Sequence, residues 1–263
     1  MKKTPFILLS LYLFITNTSC TQKEDTFVDL FNGENLDGWY LKLRNNDTTL
    51  AKKVFTVDNE MVHVFKDFPS EYELNKGKNG THGMMYTNKS YSKFILKFEY
   101  KWGKGLANNF DQFQYDAGVF YHVMDDKIWP KGIEYQVRYN HVTNTNHTGD
   151  FWSPEMDWYS ADGKTFTPKE KGGKLLVKRG EHLALKDFDN YNALNGKWNQ
   201  CEVIVMADKY VIHKLNGEIV NMATNLPYAS GKIGFQSETA EIFYRNIEIR
   251  EFEESIPISE FIN

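Results

Sequence analysis

Three polar side chains that could carry proton chemistry occur at alternate positions of one short run. Glu134, Gln136 and Arg138 are separated by the apolar residues Ile133, Tyr135 and Val137. Successive side chains of a β-strand point to opposite faces, so the polar residues form one row and the apolar residues face a core. A carboxylate, an amide and a guanidinium can accept hydrogen bonds, donate them and neutralise charge. This row suits a polyhydroxylated ligand.

The elements that must position this row are predicted to be β-strands. Short runs rich in β-branched and aromatic residues recur between Gly, Asn and Asp, and no stretch has the pattern of a long amphipathic helix. Asn216-Gly217 marks a tight hairpin, because both residues tolerate positive φ. Strands this numerous and short predict an all-β, two-sheet sandwich. The predicted strands are 55–57, 61–65, 94–102, 117–123, 133–138, 201–206, 210–215, 232–236 and 242–250.

Residues 27–263 are predicted to form a single domain, since neither a linker nor an internal repeat interrupts them. The stretch at about 141–182 is rich in Trp, Gly, Asp and Lys and has weak periodicity. We expect it to form long functional loops over the sheet.

The N-terminus predicts export. Lys2 and Lys3 precede an apolar stretch over 6–15, and small residues lead to Cys20. Residues 1–19 are therefore predicted to be a signal peptide and 20–26 a tether with lipid on Cys20. The acidic residues that follow resemble the signal that directs some Bacteroidetes lipoproteins to the cell surface, so we expect an outer-membrane lipoprotein, although an ordinary exposed tail would have the same composition.

Composition restricts the partners. The chain of 263 residues has a formal net charge of −4, and loss of Lys2 and Lys3 with the leader would make it −6. No Lys/Arg cluster offers a phosphate footprint, which argues against nucleic acid. If Cys20 carries lipid, Cys201 has no disulfide partner. The lipid anchor is then the predicted membrane contact, and carbohydrate the predicted partner.

Short motifs follow one another over most of 27–250, and the first of them has the form LFNG-x-x-L-x-GW. Their segments are 31–39, 86–91, 94–100, 117–120, 132–136, 198–202, 215–217, 231–236 and 244–247. These matching segments and their order resemble the 3-keto-disaccharide hydrolase family. The resemblance implies a concanavalin-like jelly roll, secreted or lipid-anchored, that acts in the breakdown of glycosides. One departure is Tyr121-His122, where many members have Leu-Arg.

Together with this resemblance, the polar row predicts cleavage of a glycoside already oxidised at C3. The ketone acidifies the C2 proton, a base removes it, the enolate expels the C1 substituent, and water adds back. We expect Glu134 to be the base and His122 the acid or enolate stabiliser. Gln136 and Arg138 are expected to bind the carbonyl or neighbouring hydroxyls.

Further residues are candidates for substrate binding, because aromatic faces can stack on sugars and polar side chains can bond to hydroxyls. Each also has an ordinary role open to it, as part of a solvated strand face or of a packed loop. They are Glu99, Tyr86, Trp129, His147, Asp150 and Trp152.

Other site types have weaker support. The spacing of His141, His147 and Asp150 matches none of the helical zinc motifs, so no metal ligand is assigned, although a hard cation such as Ca²⁺ held by loop oxygens stays open. No cofactor is firmly predicted. The Gly-rich segments lack the context of phosphate loops, and there is no Gly-x-Ser-x-Gly elbow.

Two other functions remain open from the sequence. An ordinary glycoside hydrolase would need two carboxyl groups about 5 to 10 Å apart, and Glu134 with Glu99 is the pair to test. A non-catalytic surface glycan-binding lipoprotein would instead depend on its aromatic side chains.

Overall fold

The structure is a computed structural model that describes residues 26–68, 80–108 and 113–262. The predicted signal peptide and Cys20 lie outside the described residues. One short helix, α1 (Thr48–Val54), is capped by Asp47, whose carboxylate accepts from the backbone N–H groups of Thr49 and Leu50. No helix among the described residues is long and apolar enough to span a membrane.

Strands make up most of the described chain. They are β1 (Val28–Asp29), β2 (Trp39–Leu43), β3 (Phe55–Asp58), β4 (Met61–Val64), β5 (Gly83–Tyr91), β6 (Lys93–Leu106), β7 (Tyr115–Val123), β8 (Ile133–Asn140), β9 (Thr145–Asn146), β10 (Phe151–Ser160), β11 (Lys174–His182), β12 (Asn199–Met206), β13 (Tyr210–Leu215), β14 (Glu218–Thr224), β15 (Gly231–Ser237) and β16 (Ala240–Glu251). The described residues also include the 3-10 turns Lys169–Lys171 and Ile258–Glu260.

The strands form the two faces of a jelly-roll sandwich. The first sheet has the order β2-β5-β15-β7-β8-β10, with β11 added to β10, and the second has the order β14-β13-β12-β6-β16-β4-β3. The sheets join at a corner where Asp157 and Trp158 of β10 pair with Thr224 and Ala223 of β14. Every pairing between the strands is antiparallel, which confirms the predicted all-β two-sheet class.

One hydrophobic core lies between the two sheets. Phe98 of the second sheet packs edge-to-face on Tyr135 and Phe235 of the first, with ring centroids 5.6 and 5.5 Å apart. Ile133 and Val137 enter the same core, as their alternation predicted. The polar row on β8 must therefore point outward from the first sheet.

The outer faces of the two sheets differ. On the second sheet, a smaller apolar cluster that includes Ile204 and Ile212 is covered by the C-terminal residues Phe252, Ile256 and Phe261. Cys201 is buried in the main core, as expected for a small apolar side chain. The outer face of the first sheet carries a concentration of buried polar side chains instead.

The prediction of long loops at about 141–182 was wrong for much of that segment. β9, β10 and β11 lie within it, and β10 pairs with β11 from Phe151↔His182 to Ser160↔Lys174. The register shifts between Ser153 and Met156, and this irregularity hides the alternation in the sequence. By contrast, Asn216 and Gly217 have φ values of 48° and 88°, the positive values that the predicted hairpin turn requires.

Candidate active site

The polar row of β8 lies on the outer face of the first sheet but is withdrawn from solvent. Glu134 is 6% exposed and Gln136 3% exposed. A buried polar side chain costs free energy unless a partner or a ligand satisfies it. The row is therefore sheltered from solvent, and is not the solvated face of an ordinary strand.

Gly118 of β7 makes room for the Glu134 carboxylate. Gly118 lies opposite Gln136 and Phe120 lies opposite Glu134, so Gly118 and Glu134 are diagonal neighbours on one face. A Cβ built on Gly118 would lie 2.0 Å from Glu134 Oε1. The carboxylate thus rests on bare backbone, and any side chain at position 118 would displace it.

Asp116 is a site residue that the sequence reasoning missed. It accepts a hydrogen bond from Gln136 Nε2 at 2.6 Å, and its other oxygen lies 2.9 Å from Arg138 Nε. Asp116 lies two residues before Gly118 and just outside the matching segment 117–120. Continuing the strand alternation one step toward the N-terminus would have found it. It ties Gln136 and Arg138 into a fixed network.

Both amide hydrogens of Gln136 are used within this network. Nε2 donates to Asp116 and, at 3.2 Å, to the Ala117 carbonyl oxygen. An amide nitrogen has only two hydrogens, so none is left for a substrate carbonyl. In this arrangement Gln136 holds Asp116 and does not donate to a substrate carbonyl, whereas its predicted binding of neighbouring hydroxyls stays a prediction.

Arg138 bridges two acidic residues. Its Nη1 donates to Glu181 Oε1 at 3.1 Å, and the Phe113 ring lies 4.6 Å from the guanidinium carbon. Glu181 comes from β11, within the segment predicted to be loop, so no sequence pattern connected it with β8. An arginine has five N–H donors, so this residue keeps donors for a ligand.

His147 and Asp150 lie beside Arg138, as candidate binding residues should. His147 Nδ1 is 2.9 Å from Asp150 Oδ2, and Asp150 Oδ1 accepts from the Ala184 backbone N–H at 2.6 Å. Ligand atoms of His147, Asp150 and Glu181 all lie within 4.8 Å of one another. These three residues could hold a divalent cation, although in the structure they bond to one another and to Arg138.

The electrostatics of the site favour a protonated Glu134. Burial raises the pKa of this carboxyl to about 8, the negative charges of Asp116 and Glu181 add to the rise, and Arg138 opposes it. A carboxyl with such a pKa can take up a proton near neutral pH, as a general base must.

Two exposed tryptophans occupy positions near this group of polar residues. Trp152 is 53% exposed and pairs across the strands with Glu134 on one side and with Glu181 on the other. Trp129 is 47% exposed, and its ring lies 5.1 Å from the guanidinium carbon of Arg44. Both predicted stacking residues are thus accessible to a ligand.

A second group of polar residues lies across β7 from the row. Gln236 of β15 is buried, and no described residue donates a hydrogen bond to its Oε1. Glu238 follows β15, and its Oε1 lies 3.9 Å from Nδ1 of the buried His82. The sequence reasoning missed all three, although Gln236 and Glu238 continue the alternation of the matching segment 231–236.

Tyr86 is on the same face but cannot stack on a sugar. It is fully buried, its hydroxyl donates to the Lys127 carbonyl oxygen at 2.5 Å, and the ring packs on Tyr40 with centroids 5.5 Å apart. Its predicted contact with substrate is corrected to a packing role under the 127–129 segment.

Strict alternation along β7 would place His122 on the face of Phe120 and Gly118, but the structure does not place it there. Its φ is 50, and the register of β7 against β15 shifts at this point. The buried ring therefore turns toward Phe94, and its nitrogens lie 2.9 and 3.0 Å from the carbonyl oxygens of Tyr228 and Ser92. These contacts assign it to the structure of the strand end, and none connects it with Glu134.

Glu99 lies on the opposite side of the molecule from Glu134. It projects from the outer face of β6 in the second sheet, accepts a hydrogen bond from Arg245 Nε at 2.7 Å and lines a separate groove of about 490 Å³. The core between the sheets separates the two carboxyl groups, since packed sheets alone are about 10 Å apart. The pair of Glu134 and Glu99 that an ordinary glycoside hydrolase would need is therefore not formed, and Glu99 does not share a site with Glu134.

Comparisons with known proteins agree with this architecture. Two crystal structures of proposed glycosyl hydrolases from Parabacteroides distasonis superpose with TM-scores of 0.53 and 0.51, at 21% and 18% sequence identity. Each alignment covers 86% of this chain, and 94% and 100% of the respective relatives. A search of curated proteins finds no match. A family model described as the 3-keto-alpha-glucoside-1,2-lyase-like domain matches residues 26–250. The chain therefore belongs to the family of 3-keto-alpha-glucoside-1,2-lyase-like domains.

Proposed function

We propose that this protein is a carbohydrate-active enzyme that cleaves 3-keto-glycosides, with Glu134 as the base. Family membership supports this substrate class. The observation that carries the assignment of the base is the Glu134 carboxylate itself, which is buried over Gly118 and has a pKa raised to about 8.

The reaction begins with removal of the proton at C2 of the sugar. The C3 ketone acidifies this C–H bond, and the Glu134 carboxylate takes the proton while the electron pair moves into the enolate. The enolate then breaks the C1–O bond, whose electron pair leaves with the aglycone oxygen, and that oxygen takes a proton. Addition of water across C1 and C2 yields the free 3-keto sugar.

The hydrogen-bond and ion-pair network around Asp116 holds Arg138 in position and supplies the positive charge of the site. Arg138 neutralises Asp116 directly and contacts Glu181, which leaves part of its guanidinium to face a developing enolate. Donors that are fixed before the reaction stabilise such charge without reorganisation. Gln136 fixes Asp116, and Gln236 Oε1 is a buried acceptor that can receive a sugar hydroxyl.

The exposed aromatic rings supply the apolar contacts. Trp152 and Trp129 present indole faces of the type that pack against the C–H groups of a sugar ring. His147 and Asp150, at the end of the site near Arg138, are placed to bind substituents beyond the reacting ring.

The proposal includes export and anchoring through Cys20. It rests on the sequence pattern of residues 1–20 alone. Incorporation of a radiolabelled fatty acid into the full chain in a bacterial host, and its loss in Cys20→Ser, would support the anchor. Equal labelling of both forms, or labelling of neither, would refute it.

The activity is tested by aryl glucosides supplied with and without oxidation at C3. Purified protein lacking residues 1–20 should release the phenol from the 3-keto forms alone. Glu134→Gln should bind the same substrates but turn over at least about 100-fold more slowly. Glu248→Gln, a matched change on the outer face of the second sheet, should keep the wild-type rate.

Two outcomes would refute this function. Release from the unoxidised glucosides would indicate an ordinary glycosidase, and glycan binding without any turnover would indicate a binding protein. Repeating the assay after chelator treatment tests whether His147, Asp150 and Glu181 hold a cation needed for activity.

A further inference from the structure

The site holds more buried carboxyl groups than buried positive charges. Asp116, Glu134 and Glu238 influence one another electrostatically, and Arg138 is the cation that acts on all three. Arg138 forms its direct ion pair with Asp116, and this pair favours the ionised form of Asp116. The other two carboxyl groups cannot both lose their protons easily, because like charges in a buried site repel.

Hydrogen bonds at Glu238 and at the next residue fix the position of Glu238 in the fold. Asn108 Nδ2 donates to the Glu238 carbonyl oxygen at 2.6 Å and to Thr81 Oγ1 at 3.0 Å. The next residue, Thr239, accepts at Oγ1 from the Asp116 backbone N–H at 2.7 Å. Glu238 is therefore fixed relative to Asp116 on the adjacent strand, as a residue with a positional role would be.

The Glu238 side chain points into the same site as Glu134. It is 12% exposed and lies beside His82, whose ring packs edge-to-face against Trp129 with centroids 5.5 Å apart. His82 is neutral at pH 7, because burial and the nearby Arg44 charge lower its pKa to about 4. No cation therefore contacts Glu238 among the described residues, and burial raises the pKa of this carboxyl well above its ordinary range.

We infer that Glu238 is the second proton-transfer residue of the site and donates its proton to the aglycone oxygen as the C1–O bond breaks. This inference rests on the proposed function. Glu134 takes the C2 proton, the C1–O electron pair goes to the aglycone oxygen, and that oxygen receives the Glu238 proton. Glu134 ends protonated and Glu238 ionised, and the proton released by Glu134 restores Glu238 before the next turnover.

This role explains the placement of Trp129. Its half-exposed ring packs on His82, which lies beside Glu238, so an aglycone stacked on Trp129 would bring its glycosidic oxygen near the Glu238 carboxyl. Glu238 also takes over the acid role that the sequence analysis expected of His122, whose two ring nitrogens lie next to backbone carbonyl oxygens at a strand end.

The test is a leaving-group series of 3-keto-glucosides carrying phenyl, 4-nitrophenyl and 2,4-dinitrophenyl groups. Loss of an acid catalyst matters most for a poor leaving group. Glu238→Gln should therefore slow the phenyl substrate by about 100-fold or more and the dinitrophenyl substrate by less than about 5-fold. Glu238→Asp should restore part of the phenyl rate, and Glu248→Gln should behave as wild type with all three.

The outcomes separate the two proposals. If the wild type turns over none of these substrates, the proposed function itself fails. If the wild type is active and Glu238→Gln loses the same factor with every leaving group, or loses none, Glu238 is not the acid. Circular dichroism of each variant checks that it has folded. If Glu238→Gln does not fold, the dependence of the Glu238→Asp rate on the leaving group is the test instead.

Discussion

The Glu134 carboxylate fills the space that a side chain at position 118 of the neighbouring strand would need, because Glu134 Oε1 lies only 2.0 Å from the position of a Cβ on Gly118. The base of the proposed reaction is thus placed by the absence of a side chain on β7. The relationship connects a scaffold motif, the segment 117–120, directly with the chemistry. It also makes a conservative substitution a severe test of the site.

Gly118→Ala should abolish most activity while leaving the fold intact. The added methyl group would push the Glu134 carboxylate off its position, and a misplacement of about 1 Å can cost about 100-fold in rate. Steady-state kinetics with a 3-keto aryl glucoside measures the loss. Gly105→Ala is the matched control, since its Cβ would meet the nearest atom at an ordinary 3.5 Å. A Gly118→Ala enzyme with wild-type kcat/KM would show that the Glu134 position is unimportant.

Activity should rise with pH through about 8. Glu134 must be ionised to accept the C2 proton, and its raised pKa keeps it protonated below that value. We expect log kcat/KM to increase with a slope near 1 up to about pH 8 and then to level or fall as Glu238 ionises. A profile that is flat between about pH 5 and pH 9 would contradict the role of Glu134.

Stability should show the opposite trend with pH. The folded pKa of Glu134, about 8, exceeds the ordinary value of 4.5 for this side chain, so the folded state binds this proton more tightly than the unfolded state. The stabilisation is complete below about pH 4.5 and is lost as pH rises through about 8. Glu134→Gln avoids this loss, so its free energy of unfolding should exceed that of the wild type at pH 9 by a few kcal/mol (about 1.4 per pKa unit).

Thermal or urea unfolding of the two proteins at pH 5 and pH 9 measures this difference. Glu248→Gln, on the second sheet, controls for the general effect of removing a carboxyl group. A Glu134→Gln advantage that is the same at both pH values would mean that the folded pKa is not raised.

Trp152→Ala should weaken substrate binding more than it slows the chemistry. The ring is 53% exposed, so its removal costs little folding energy, whereas a lost stacking contact is worth about 1 kcal/mol. We expect KM to rise about 5-fold to 10-fold with kcat nearly unchanged. Leu175→Ala on β11, an equally exposed apolar residue, is the control. If Trp152→Ala left KM at the wild-type value, Trp152 would have no part in binding.

The sequence was sufficient for the fold class and for the β8 row. Alternation placed Ile133 and Val137 in the core, and Glu134 outside it, because a single strand with one buried face determines both sets. The hairpin at Asn216-Gly217 was predictable for a similarly local reason, the positive φ of both residues.

The missed residues depend on register between strands, which no local pattern shows. Glu181 reaches Arg138 only because β11 pairs with β10, and a bulge in β10 hides that strand. The positive φ of His122 turns its side chain away from the face that strict alternation assigns. Glu99 follows the same alternation as Glu134, but it belongs to the other sheet, which spacing along the chain cannot reveal.

The most direct test of the account is the fate of the C2 hydrogen when a 3-keto-glucoside is cleaved in D₂O. NMR of the product at early times, with the product alone in D₂O as a control for spontaneous exchange, follows this atom. Removal of the C2 proton by Glu134 followed by hydration predicts one deuterium at C2 of the released 3-keto sugar. A product that keeps its original hydrogen at C2 would show direct displacement at C1, and would contradict the account.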